Sequence, residues 1–183
     1  HTYRQMKINS LILSILTVIS VSCRQTSKEN FRPVTFYHYQ LWLADLDTVD
    51  LKDSSTLYLD SITTNKNTEY FLRNYPNSDS LTVFSYSIKG DSLFYEGTYC
   101  KVVDTVDFDF KGQKITLYRS NYDISDNFDE ESYIFWNRRY GLIGEYNYNM
   151  GPLLLFDNQE IPNFATDILY SYIVDSERGQ GIE

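Results

Sequence analysis

The chain has 183 residues, 42% of them hydrophobic and 16% aromatic, with a formal net charge of −9. That length is ample for one domain and little more. The acidic balance, with no clustered stripe of Lys and Arg, excludes nucleic acid as a partner and makes anionic lipid headgroups repel the body of the protein.

Residues 1–5 precede Met6, which fits an initiator, and are set aside from the fold. Met6-Lys7 leads into an apolar run over residues 8–21 that stops at Ser22-Cys23. A short basic start, an apolar run and small residues before a cleavage point are the grammar of an export signal. The run is too short for the roughly 20 residues of a membrane span, and Asn9, Ser10, Ser14 and Thr17 interrupt it. Ser20-Val21-Ser22-Cys23 resembles the lipobox of bacterial lipoproteins. That resemblance implies a diacylglyceryl thioether on Cys23, which then becomes the first residue of the mature protein. The membrane is thus a partner through covalent lipid. An ordinary signal peptide cut near Ser22 is the competing reading. Arg24, in place of the Asp associated with inner-membrane retention, implies an outer-membrane lipoprotein on the periplasmic face.

Residues 24–30 carry no apolar side chain to bury and read as a solvated tether. The division is therefore 1–22 upstream residues and signal, 23–30 lipidated cysteine and tether, and 31–183 a single β-rich domain. With Cys23 lipidated, Cys100 has no disulfide partner, and its apolar surroundings suit a small buried hydrophobe.

Past the tether, apolar residues recur mainly at alternate positions, the period of strands with one wet face. Residues 35–43 and 56–63 are the first expected strands, and 67–75 fit a short helix. Residues 81–88 run into Lys89-Gly90-Asp91 and return through 92–103 as a hairpin whose Gly90 supplies positive φ. Val106-Asp107-Phe108-Asp109-Phe110 alternates strictly, turns at Lys111-Gly112-Gln113 and returns through 114–119 as a second hairpin. Strands are expected at 132–136, 141–146 and 153–156. Residues 166–174 fit either a capped helix or a terminal strand, and 175–183 a frayed tail. The fold class is all-β, or β-rich with one or two short helices, its antiparallel sheet forming a sandwich or half-barrel. The stretch Tyr133-Ile134-Phe135-Trp136-Asn137-Arg138-Arg139-Tyr140-Gly141-Leu142-Ile143-Gly144 also resembles a pattern common in small lipoproteins of the Bacteroidota. That implies a β-rich envelope lipoprotein of a kind mostly without assigned activity.

His1 and His38 are the only histidines, and no G-x-S-x-G, H-E-x-x-H or paired C-x-x-C motif is present. The sequence nominates no catalytic residue, no metal ligand set and no cofactor. Asp123, Asp126, Asp129, Glu130 and Glu131 lack the spacing of a calcium loop and read as a solvated acidic loop. Tyrosines number 17. Tyr133, Trp136, Tyr140 and Tyr146, with Phe135 and Tyr148 beside them, form the candidate binding surface, since Tyr and Trp anchor interfaces. Cross-strand aromatic pairs are also ordinary construction in a sheet, and Trp42 and Trp136 suit a core.

Three functions fit. The first is a membrane-anchored envelope lipoprotein acting as a non-enzymatic binding module. The second is a periplasmic immunity or inhibitor lipoprotein, whose acidic domain would meet a protein partner with a basic surface. The third is a carboxylate-based hydrolase, whose acid pair is defined only in space.

Overall fold

The structure is a computed structural model that describes residues 31–41, 49–63, 68–77, 79–123 and 131–180. The signal segment, Cys23, the tether, Trp42, and Asp126, Asp129 and Glu130 of the acidic loop lie outside the described residues.

Among the described residues ten antiparallel strands run β1 (Arg32–Leu41), β2 (Val49–Thr63), β3 (Thr68–Arg73), β4 (Thr82–Lys89), β5 (Ser92–Tyr95), β6 (Thr98–Phe110), β7 (Gln113–Tyr122), β8 (Ser132–Asn137), β9 (Gly141–Asn147) and β10 (Pro152–Asn158). Each pairs with the next, so the sheet is a meander. It goes beyond a sandwich or half-barrel: β1 also pairs with β10, from Val34 opposite Asn158 to Gln40 opposite Pro152, and the sheet closes on itself. Closure gives every strand a neighbour on both sides, while residues 49–57 of β2 pair only with β1 and residues 101–110 of β6 only with β7. One end, the entry end, carries Arg32, the β4–β5, β6–β7 and β8–β9 turns and the end of β10. The far end carries the β5–β6 and β9–β10 turns.

Three expectations need correction. Residues 68–73 are strand, because Tyr70 and Leu72 point into the barrel between β2 and β4, and pairing on both sides overrides local preference. Residues 92–103 are two strands, since Glu96 and Gly97 both take positive φ (48° and 79°) in a two-residue hairpin turn. The C-terminal segment is helical: a π-helical turn (Ala165–Leu169) runs into α1 (Tyr170–Gln180), which continues through residues expected to fray. Helical hydrogen bonding carries on there past Ile173 and Val174, which are buried against the barrel.

Two apolar clusters follow from this layout. Residues from all ten strands converge in the lumen, among them Val34, Leu59, Leu72, Tyr86, Leu93, Cys100, Ile134, Trp136 and Phe156. Phe36, Phe84 and Phe156 meet there with ring centroids 5.4 to 6.0 Å apart. Trp136, 0% exposed, stacks on Tyr118 at 4.6 Å, and its Nε1 donates to Ser120 Oγ at 2.9 Å. The second cluster lies on the outer wall of β1 and β6–β10, under Ile161, Phe164, Leu169, Ile173 and Val174. Asp157 holds this cover: its carboxylate accepts from Ala165 N at 2.8 Å and from Thr166 Oγ1 at 3.2 Å. Gly144 lets the cover approach, since a Cβ there would stand 2.7 Å from Leu169 Cδ2.

Candidate functional site

Period-two alternation places Ile115, Leu117, Arg119 and Asn121 of β7 on the outer face, the apolar pair under the helical cover and the polar pair beyond it. Arg119 is therefore a cation on the apolar phase of its strand. Its side chain, 27% exposed, lies over the Tyr133 ring with the guanidinium carbon 4.9 Å from the centroid. Its Nη2 stands 3.4 Å from Asp104 Oδ2. The Nε–H is buried and meets no acceptor, and the nearby Asn121 Oδ1 is buried without a donor. Unmatched buried polar atoms cost stability, so each needs an account.

Around Arg119 a cleft of about 230 Å³ opens between α1 and the outer wall, bounded by Tyr133, Phe135, Tyr146, Tyr148, Tyr172 and Ser176. Tyr133 and Tyr146 are register partners across β8 and β9. Tyr148 packs on Tyr133 at 4.7 Å and donates from its hydroxyl to Glu131 Oε2 at 2.9 Å. Burial first, and the Glu131 carboxylate second, push the Tyr148 phenol up to about 12. Asn149 Nδ2 donates to the same Glu131 oxygen at 2.9 Å, and these two bonds hold the Glu131 carboxyl below its usual range. Tyr172 of α1 meets Phe108 edge-on at 5.5 Å, which fixes the helical wall of the cleft.

The structure brings together two of the four nominated residues. Tyr133 and Tyr146 share the cleft, whereas Trp136 is enclosed in the lumen and Tyr140 stands at the entry end. Arg119 and Tyr172 join Tyr133 and Tyr146 without being among the candidates that the sequence offers. Arg119 carries a readable signal, an Arg in phase with Ile115 and Leu117; Tyr172 carries none, because its position depends on how α1 docks.

Other groups singled out in the sequence have plain surroundings. His38 lies half-buried on β1 with Leu154 and Asp53 as register partners. Cys100 is fully enclosed in the lumen, where burial pushes its thiol up to about 11. Among the described residues no three of His, Cys, Asp and Glu converge as metal ligands. Glu145 projects into the lumen, accepting from Tyr95 Oη at 2.6 Å, and burial raises its carboxyl. Among the described residues no helix is long and apolar enough to cross a membrane. Comparison of the chain with protein-family models, curated proteins and solved structures finds no match.

Proposed function

We propose that the chain is a lipid-anchored protein of the bacterial cell envelope, attached to the outer membrane through Cys23 on its periplasmic face, and that its barrel is a non-enzymatic binding module. The observation that carries the binding role is the tyrosine-walled cleft, where Arg119 keeps a buried donor without an acceptor. A partner supplying an acceptor there would satisfy the guanidinium while covering Tyr133 and Tyr148, the pairing of aromatic and Arg contacts that dominates binding energy. The enclosed carboxylates Glu145 and Asp157 favour this over hydrolysis, because they face opposite sides of the sheet and do not form a facing pair. Glu131 at the lip of the cleft favours, as a second reading, an inhibitor that meets a basic protein surface.

The test is capture from native envelopes with the full chain and with its Arg119→Ala/Tyr133→Ala variant. The expected result is a partner retained by the native chain and lost by the variant; the same captured set with both would sink the reading. Salt-sensitive capture of a basic protein would select the inhibitor form. For the anchor, Cys23→Ala should abolish incorporation of labelled palmitate and release the protein from membranes, and retained label would defeat it.

A further inference from the structure

Side chains fill most of the lumen, but at the entry end a cavity of about 80 Å³ stays open. It lies inside the barrel, separate from the cleft on the outer wall. Its walls are Val34, Leu59, Leu72, Leu142 and Phe156 with the ring of Tyr86, all buried and contributed by six strands. The lip is charged. Arg32 Nη1 stands 3.0 Å from Glu160 Oε1, and Arg139 Nε stands 3.7 Å from Glu160 Oε2. Arg32 and Glu160 line the cavity, and Arg139 stands beside Glu160 outside that lining, so two guanidinium groups flank one carboxylate and leave one positive charge in excess near the mouth. The Asn158 amide does not alter that balance, since it is neutral and already engaged: its Oδ1 accepts from Glu160 N and Ile161 N, and its Nδ2 donates to Tyr140 O at 3.3 Å.

An excess cation at the lip and a hydrocarbon-lined hole below it are complementary to an amphiphile with one negative charge and a short tail. The volume sets the tail. A cavity of about 150 Å³ accepts the six carbons of benzene, so this one takes about three or four carbons. We propose that the entry-end mouth binds a short-chain aliphatic monocarboxylate, its tail among Leu59, Leu72, Leu142 and Phe156 and its carboxylate on Arg32, with Arg139 adding positive charge beside Glu160. The ligand carboxylate competes with Glu160 for Arg32. Binding is reversible, with no covalent step, and Glu160 sets the affinity as an internal competitor.

That competition gives opposite signs for two exposed substitutions that leave the walls intact. Sodium valerate is titrated into the full chain while the methyl resonances of Val34, Leu59, Leu72 and Leu142 are followed by NMR. Saturable shifts confined to these methyls are expected. Arg32→Gln should weaken binding about tenfold, the scale of one charge-assisted contact, whereas Glu160→Gln should tighten it. Valeramide, which keeps the tail and loses the charge, should bind about tenfold more weakly than valerate. Leu142→Phe should remove binding, with its methyl spectrum reporting that the barrel is folded. No saturable shift with valerate, equal binding of valeramide, or an unchanged affinity in Glu160→Gln would each overturn the proposal. Tyr133→Ala should leave valerate binding unaltered, so failure of the mouth and failure of the cleft are separate results.

Discussion

Strands β8 and β2 belong to one barrel and are built differently. In β8 the lumen side carries Ile134 and Trp136, and the outer side carries Phe135 beneath the helical cover, so the strand is apolar on both faces. In β2, Leu57 and Leu59 fill the lumen while Leu51 and Ile62 stand half in water, interspersed with Asp50, Lys52 and Asp60. Barrel closure alone gives every strand one dry face. Among the described residues the second dry face exists only where the chain after β10 folds back as a π-turn and helix, and the cleft sits at the edge of that cover. The described residues thus divide into a bare wall and a covered wall that holds the tyrosine cleft.

The hardest test of that division is Trp136→Ala. It opens a cavity in the lumen and strands the Ser120 hydroxyl, so it should cost about 3 to 5 kcal/mol by urea denaturation. A loss of under about 1 kcal/mol would mean that the lumen contributes less than the cover. Gly144→Val attacks the cover instead, forcing a side chain against Leu169 at a cost of about 1 to 3 kcal/mol. Hydrogen exchange should show the amides of α1 losing protection while those of β3 and β4 keep theirs; loss throughout would join the two regions into one cooperative unit.

A smaller effect sharpens the contrast between lumen and surface. Burial raises the folded-state carboxyl of Glu145 above 4.5, its ordinary value and the one it takes when unfolded. The folded state therefore holds its proton to higher pH, and stability falls as pH rises through the interval from 4.5 to the raised folded value. Glu145→Gln should flatten that part of the denaturant-midpoint profile. Asp157, also raised by burial, retains its own slope of the same sign in the variant. Glu131 is lowered and contributes the opposite slope, lost as pH falls through its depressed value, so the difference between native and variant profiles isolates Glu145. An unchanged difference across pH would show that Glu145 ionises as it does in water. Smallest of all, Ile62→Ser on the bare wall, 52% exposed, should stay within about 0.5 kcal/mol of the native stability. A larger loss would place a partner or a covering segment on that face.

Alternation made the strands readable because lumen and solvent lie on opposite sides of most of them. Val106, Phe108 and Phe110 show it, although what buries Phe108 and Phe110 is the helical cover and not the lumen. The switch comes at Val103, where a register irregularity in β6 moves the apolar phase from Cys100 and Val102 inside to Val106 outside. No local pattern announces which face a phase will meet. The pairing of β1 with β10 was equally hidden, since neither strand differs in composition from one at an open edge. At the site, Tyr133 and Trp136 differ in parity and so belong to opposite faces, a separation already present in the spacing of three. Tyr146 joined Tyr133 through register, which depends on the β8–β9 irregularity at Phe135 and Trp136.

The seam between β1 and β10 also bears on how such a chain is made. Its two strands are the first and last of the sheet, so the barrel is unfinished until β10 is present. Until Pro152–Asn158 arrives, β1 is a naked edge rich in aromatic residues, open to wrong partners. Newly synthesised chains therefore pass through a stage at which premature release or slow folding favours aggregation, and a holding chaperone is of most use before the last strand is in place.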